Sequence, residues 1–193
     1  MQALKQSAHI SVEEYLAGEL ESDVRHEYLD GVVYAMAGAS EEHINISMNI
    51  AFALRQHLRG KSCRVLMTEM KTRLSFADEE IFYYPDVMVL CDPRDTHDYF
   101  KRYPKVLIEV LSPSTESIDR REKFFNYRKI ETLEEYVLVA QDKFEVTVHR
   151  RARQWRPESA TKTSQSLRLP SLKFQMRLSA VYDQVSFGQG TSD

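Results

Sequence analysis

Two carboxylate side chains lie within apolar stretches of the sequence, where a charge is costly unless a cation or several donors compensate it. Asp86 leads into the apolar run 87–90, and Glu109 interrupts the apolar run 106–111. Alternate residues of a strand share a face, so each acid shares its face with apolar neighbours. One such acid indicates a salt bridge or an exposed strand end. Two acids on strands that we expect to be neighbours favour a divalent-cation site.

A basic stripe follows the second acid. Arg120, Lys123 and Tyr127 are spaced i, i+3 and i+7, so they share one face of a helix predicted over residues 115–130. A helix packed against the strand of Glu109 brings this stripe over the end of that strand. Lys123 then polarises a phosphate or orients an attacking water. The alternative is a solvated helix face, which is the commoner place for an Arg/Lys pair.

The elements that must position these side chains follow from hydrophobic periodicity and turn signals. Strands are predicted over residues 63–67, 71–76, 83–90, 105–111, 135–140 and 144–150. A longer helix is predicted over 41–59, capped by Ser40, and a short helix ends at Gly18 after a capping box at Ser11. Asp30-Gly31 indicates a hairpin turn within residues 25–37.

This order of elements predicts an α/β fold with a central mixed β-sheet flanked by helices. We expect one domain over residues 1–193, with the N-terminal helix and hairpin (about 11–37) ahead of the core. The strand at 105–111 is almost continuously apolar, which is typical of a strand covered on both faces.

Composition narrows the class of protein. The chain has 193 residues and a formal net charge of −3, so a protein that binds nucleic acid over its whole surface is excluded. No stretch has the roughly 20 apolar residues of a membrane span. No export signal is visible, and the two cysteines, Cys63 and Cys91, lie far apart. We therefore expect reduced thiols in a cytoplasmic protein that does not bind membranes.

One segment combines arginines with the single tryptophan. Arg150, Arg151, Arg153 and Trp155 lie within residues 149–156. Arginines that contact phosphates and an aromatic ring that stacks on bases are typical of nucleic-acid binding, so these residues, with Arg120, are candidate contacts. A solvated hairpin end whose arginines offset nearby acids explains the same pattern.

The sequence resembles the PD-(D/E)XK nuclease superfamily and, more narrowly, the bacterial Uma-two family of endonuclease-like proteins. The shared motifs cover nearly the whole chain: SVEEY (11–15), RHEYLDG (25–31), MAGAS (36–40), PDV (85–87), IEVLSPST (108–115), DRREK (119–123) and EEYVLV (134–139). The sequence departs from the superfamily pattern at Leu111, where the lysine two residues after Glu109 is expected. Lys123 fits a lysine that has migrated onto the following helix, as is known in this superfamily.

The resemblance implies a role for each matching residue. Asp86 and Glu109 would bind Mg²⁺ or Mn²⁺, with the Val110 carbonyl as a third ligand. Lys123 would stabilise charge on the phosphate or position the water. These three side chains, Asp86, Glu109 and Lys123, are the candidate catalytic residues.

Three further side chains are candidates for the same site. The resemblance implies that Glu27 adds a carboxylate and that His43 lines the cleft, and Tyr127 shares the helix stripe of Lys123. Equally good alternatives are that Glu27 pairs with Arg25 or is an exposed hairpin residue, and that His43 bonds to a helix terminus.

The expected function is a metal-dependent endonuclease that hydrolyses phosphodiester bonds in DNA, as a homodimer whose twofold axis relates two sites. The alternative is a nucleic-acid-binding or regulatory module with a relict metal site and no significant turnover. A third hypothesis is a metal hydrolase of small phosphate esters.

Overall fold

Two β-sheets organise the chain in the computed structural model, which describes residues 9–76 and 79–187. In chain order, the strands are β1 His26–Leu29, β2 Val32–Ala35, β3 Arg64–Met67, β4 Lys71–Phe76, β5 Glu79–Tyr83, β6 Val87–Leu90, β7 Phe100–Lys101, β8 Pro104–Leu111, β9 Glu135–Ala140, β10 Val146–Arg150, β11 Pro157–Ala160, β12 Ser166–Leu169 and β13 Phe174–Arg177. The helices are α1 Val12–Glu21, α2 Glu41–His57, α3 Glu116–Ile118, the π-helix Asp119–Lys123, α4 Phe124–Tyr127, α5 Leu178–Val181, and 3₁₀ helices at Arg151–Arg153 and Pro170–Leu172. Within the described ranges, no helix is long and apolar enough to cross a membrane.

The central sheet has six strands in the order β11-β10-β9-β8-β6-β3. β8 and β9 run parallel and the other neighbours antiparallel, so the sheet is mixed, as predicted. Its two faces belong to different core clusters. Val87, Val89 and Ile108 pack with α2, whereas Met88 and Leu107 pack with Tyr127 of α4. Cover on both faces explains the almost continuous apolar run of β8.

The second sheet, β2-β1-β5-β4-β7, contains the predicted N-terminal hairpin. Asp30 and Gly31 form its turn with positive φ angles of 43° and 90°, a conformation that glycine adopts without steric cost. The hairpin therefore forms where the sequence predicts it. β1 joins β5 of the same sheet, which fixes the hairpin beside the central sheet.

The strand predicted over residues 83–90 is in fact two strands that belong to different sheets. β5 ends at Tyr83 in the second sheet, and β6 begins at Val87 in the central sheet. Pro85 has no N–H to donate to a strand ladder, so the ladder stops there and the chain crosses between the sheets. This crossing places Asp86 at the junction of the two sheets.

Two predicted helices also differ from those observed. α1 continues past Gly18 to Glu21, because the buried Glu19 in its last turn accepts hydrogen bonds from the Tyr84 hydroxyl and the His26 N–H. The helix predicted over 115–130 is a short α-turn, a π-helix and a second α-turn that ends at Tyr127. The π-helix contains one extra residue per turn and changes which side chains share a face.

The two cysteines form a disulfide, so the prediction of reduced thiols is wrong for this structure. β3 pairs antiparallel with β6, with Arg64 opposite Leu90. The next position in this register places Cys63 opposite Cys91, and their Cα atoms lie 4.2 Å apart. The sequence alone did not predict that the two cysteines are close, because they are 28 residues apart and the pairing of their strands is a long-range feature.

Candidate active site

Asp86 and Glu109 face each other across neighbouring strands. β6 pairs antiparallel with β8, with Val87 opposite Ile108. One step further along this register places Asp86 opposite Glu109, and both are buried at 7% and 3% exposure. The Val110 N–H donates to Asp86 Oδ2 over 2.7 Å, which fixes the aspartate against β8. The expectation that the two acids lie on neighbouring strands agrees with this pairing.

The Lys123 ammonium lies among three carboxylates. Its Nζ is 2.8 Å from Glu27 Oε1, 3.2 Å from Asp119 Oδ1 and 3.5 Å from Glu109 Oε1. The side chain is 7% exposed, so water screens these charges little. Residues from a strand of each sheet and from the π-helix therefore meet at one cation.

Burial and these ion contacts shift the acid–base properties of the cluster. Burial raises the pKa of Glu109 well above its ordinary value, against the opposing charge of Lys123. Burial also works to lower the pKa of Lys123, but its three carboxylates outweigh burial and raise that pKa well above the ordinary value. Lys123 therefore stays protonated at neutral pH and is suited to stabilise negative charge rather than to act as a base.

His43 connects helix α2 to Asp86. Ser40 caps α2 by accepting a hydrogen bond from the His43 N–H, which places the imidazole in the first turn. Its Nε2 lies 2.8 Å from Asp86 Oδ1. Burial works to lower the pKa of His43, but the hydrogen bond to Asp86 and its charge raise that pKa above the ordinary value. The imidazole therefore orients the aspartate, and the structure places His43 at the cleft and not only at a helix terminus.

Glu27 and Tyr127 also join this cluster. The Tyr127 hydroxyl donates to Glu109 Oε1 over 3.1 Å. Glu27 pairs with Lys123, whereas Arg25 forms its ion pair with Glu69, so the alternative Arg25–Glu27 pair is absent.

Sequence reasoning missed Asp119 as a site residue. It is 2% exposed, and its Oδ1 faces Lys123 without accepting a hydrogen bond of good geometry in the described chain. Burial raises the pKa of Asp119, and Lys123 partly opposes this. The i, i+4 spacing of Asp119 and Lys123 was the available signal, but it is also typical of an exposed helix pair.

A cleft of about 360 Å³ opens above these side chains. Two loops form its walls, residues 36–40 before α2 and residues 112–115 after β8. Val110, the predicted backbone ligand, lines the cleft with Asp86 and Glu109. Small and hydroxyl side chains in both loops leave room for a group to approach the carboxylates.

The donors suit a hard divalent cation that keeps most of its water. Within the described ranges, no three His, Cys, Asp or Glu side chains converge closely enough to hold an ion by themselves. Mg²⁺ needs only one or two protein carboxylates beside waters and substrate oxygens, which Asp86 and Glu109 can supply. The buried, poorly bonded Asp119 Oδ1 is a further oxygen at the same place. The chemistry of the donor set therefore fits such an ion.

The arginine-rich segment (residues 150–156) lies apart from this cluster. Two of its arginines bind groups of the protein itself. Arg151 donates to the carbonyls of Leu133 and Ile130. Arg150 pairs with Glu158 over 2.7 Å and donates to the Arg168 carbonyl. These two side chains stabilise the fold by binding other groups of the protein. This favours the alternative that the arginines serve the structure and do not contact nucleic acid.

The other candidate nucleic-acid contacts differ in exposure. Arg153 has a 73% exposed side chain whose ion contact with Glu158 is long, at 3.9 Å, so it is open to a partner. Trp155 packs partly buried against the second core cluster, with its ring 6.4 Å from that of Phe124. Arg120 pairs with Glu116 and Glu145, because the π-turn rotates it off the stripe predicted to include Lys123 and Tyr127. Nucleic-acid contact by these residues stays a prediction.

Comparison with known proteins adds a family and a fold. Residues 12–180 match the family model Uma2, described as "Putative restriction endonuclease". Two similar proteins come from Synechocystis sp.: slr1290 is 38% identical over 141 residues, covering 72% of this chain and 73% of that protein. The second, sll1609, is 31% identical over 151 residues, covering 76% and 84%.

Similar folds occur among solved structures. One of them is a crystal structure described as "a putative nuclease belonging to DUF820" from Anabaena variabilis, with a TM-score of 0.74 and 18% identity. The match covers 92% of this chain and 99% of that chain. The predicted mixed sheet flanked by helices is thus confirmed as a known fold.

Proposed function

The chain belongs to the Uma2 family, and from that membership and the cleft geometry we propose that it is a metal-dependent endonuclease acting on DNA phosphodiester bonds. Family membership supports a restriction-endonuclease-like hydrolase at the coarse level. The observation that carries the finer proposal is the pair Asp86–Glu109 with the Lys123 ammonium 3.5 Å from Glu109. Paired oxygen donors beside a fixed cation suit hydrolysis of an anionic ester.

In the proposed mechanism, residues at the strands bind the metal ion and a residue of the helix stabilises charge on the phosphate. Asp86 and Glu109 would hold Mg²⁺ or Mn²⁺, with the Val110 carbonyl as a further ligand. When bound, this ion would lower the pKa of a water and neutralise charge on the phosphate. Lys123 would stabilise the negative charge that develops on the phosphate oxygens. Preorganised charges of this kind contribute about 10²–10³-fold to rate.

The remaining side chains would position these groups. His43 holds one oxygen of Asp86, and the Val110 N–H holds the other, so the carboxylate cannot rotate freely. The Tyr127 hydroxyl restrains Glu109 in the same way. Glu27 and Asp119 keep Lys123 in place and protonated.

Nicking of supercoiled plasmid by the purified protein in Mg²⁺ or Mn²⁺ tests this proposal. We expect cleavage that a chelator abolishes and that falls by about 10²–10³-fold or more in Asp86→Ala and Lys123→Ala. Lys143→Ala is the matched control because Lys143 is 58% exposed and bonds only to Glu145 in the described chain. Unchanged cleavage in Asp86→Ala would contradict the assignment.

A second candidate is a nucleic-acid-binding or regulatory module without significant turnover. One observation favours it: the protein's own Lys123 already compensates the carboxylates of the cleft at 2.8–3.5 Å. Salt-sensitive DNA binding by a protein that neither nicks DNA nor binds Mn²⁺ would support this candidate over the nuclease.

A further inference from the structure

One face of helix α2 carries an apolar stripe that is open to solvent. Ile44, Met48 and Phe52 follow one another at four-residue spacing and are 52%, 51% and 63% exposed. Residues four apart share a helix face, so the three side chains form one continuous stripe. The opposite face of α2 fills the first core cluster with Ile50 and Leu54. Core packing therefore does not explain the stripe.

The edge of the central sheet beside α2 carries a further exposed apolar side chain. α2 packs beside β3, the last strand in the order of that sheet. Met67 at the end of β3 is 37% exposed. Within the described ranges, β3 pairs only with β6, so its outer edge has no strand partner. An exposed apolar helix stripe near an open strand edge is typical of a protein–protein interface.

The two ends of the stripe carry opposite charges. Glu41 and Glu42 form the first turn of α2. At the other end, a groove of about 810 Å³ is lined by Arg55, Arg59 and Arg64. In the part of the chain that the structure describes, neither Glu41 nor Arg55 forms an ion pair. Both charges are therefore free to meet a partner.

We propose that two copies of this chain form a homodimer through antiparallel pairing of their α2 helices about a twofold axis at Met48. Ile44 and Phe52 lie at equal distance on either side of Met48, so each packs against the other in the second copy. Glu41 and Arg55 are also equally spaced from Met48, so Glu41 of the second copy meets Arg55. A self-complementary patch of this kind is what an isologous interface requires.

A second copy fits this surface better than the phosphate backbone of a nucleic acid. Phosphates would satisfy the arginines of the groove but would leave Ile44 and Met48 in water. A copy of α2 covers the apolar stripe and supplies the carboxylates at the same time. Its 17 residues span about 25 Å, long enough to place Glu41, Met48 and Arg55 of one copy opposite Arg55, Met48 and Glu41 of the other.

The mass of the full chain in solution, measured over a range of concentrations, tests the pairing. We expect a dimer for the wild type and a monomer for Met48→Asp, because two carboxylates then meet on the twofold axis. Leu20→Asp is the matched control, since Leu20 is 60% exposed on α1, away from the stripe. A monomeric wild type, or a dimer that Met48→Asp leaves intact, would overturn the proposal.

A charge exchange tests the orientation with variants whose folding is checked by circular dichroism. Arg55→Glu or Glu41→Arg alone should raise the dimer dissociation constant at least tenfold, and the two together should restore it. In a parallel pairing, each single variant instead changes a contact between identical residues, and no restoration follows. If Arg55→Glu weakens DNA binding without changing the mass, the groove binds phosphate and the dimer proposal fails.

The outcome does not depend on the proposed function. Each cleft is built from residues of one chain, so a monomer keeps the complete set of Asp86, Glu109 and Lys123. A catalytically inactive protein that forms the dimer would contradict the nuclease proposal alone. An active monomer would contradict the dimer alone.

Discussion

Lys123 and Arg151 are both basic side chains held by contacts within the protein, but different groups bind them. Lys123 lies among three carboxylates beneath an open cleft. Arg151 donates to two backbone carbonyls at the end of the Leu133 loop. The two carbonyls carry no net charge that a metal ion could compensate. A cluster of carboxylates, in contrast, can bind a second cation. The groups that a charged side chain contacts, more than the number of charges, therefore distinguish a candidate site from a structural contact.

Replacing Lys123 by methionine should give the largest effect on stability. The change leaves the carboxylates of Glu27, Glu109 and Asp119 buried without their cation, so we expect a loss of about 3–5 kcal/mol in the free energy of unfolding. Urea denaturation measures this loss. A loss below about 1 kcal/mol would show that the carboxylates take up protons at little cost and that the ion contacts are weak.

Divalent cations should stabilise the cleft and leave the arginine-rich segment unaffected. An ion that binds only the folded state adds about 2.7 kcal/mol at a hundredfold excess over its dissociation constant. We expect Mn²⁺ to raise the unfolding midpoint of the wild type and of Arg151→Met. In Asp86→Asn the rise should disappear. An equal rise in all three proteins would place the ion elsewhere.

Replacing Arg151 by methionine should cost less stability than replacing Lys123. It removes the guanidinium donor of the Leu133 carbonyl, whereas the Ile130 carbonyl still accepts from the Leu133 N–H. The loss of hydrogen bonds from a charged donor costs about 1–3 kcal/mol. Cleavage of plasmid per folded molecule should stay unchanged. If DNA binding falls while stability does not, Arg151 contacts DNA and the contrast with Lys123 is wrong.

The smallest expected effect concerns pH near the arginine-rich segment. Burial lowers the pKa of His149 below its ordinary value, although its hydrogen bond with the Trp155 carbonyl partly opposes this. The neutral ring therefore contributes stability above about pH 6.5, which is lost as the pH falls through the lower pKa of the folded state. We expect the wild type to lose stability on acidification more steeply than His149→Phe. Fluorescence of Trp155, the single tryptophan, reports unfolding, and equal slopes would contradict the shift.

Local patterns predicted the parts of the fold that depend on neighbouring residues. The almost continuous apolar run of β8 indicated a doubly covered strand, and Asp30-Gly31 located the hairpin turn. The two acids were recognisable because a carboxylate in an apolar run needs an explanation. Their apposition also followed, because the strands that carry them are neighbours.

Local sequence patterns could not predict the features that depend on long-range pairing. The crossing at Pro85 between sheets, the disulfide between Cys63 and Cys91 and the ties of Arg151 all depend on register or on distant carbonyls. Asp119 was missed for the same reason. Its spacing from Lys123 is equally common on exposed helices, and only tertiary packing buries the pair.

The π-helix makes the arrangement around Lys123 sensitive to a single codon. A π-turn is an α-turn with one residue inserted, and it separates the cleft wall from Tyr127, which is anchored in the core. Deleting one residue within Asp119–Lys123 would convert this stretch to an ordinary α-turn, and the flanking turns would stay nearly in phase because four α-helical residues and five π-helical residues rotate the chain by similar angles. Asp119 and Lys123 would then lie three residues apart, so the distance between the carboxylate and the ammonium would change. A lineage could therefore alter the ion contacts of Lys123 by losing one codon and restore them by regaining one, with the sheets and the apolar core unchanged.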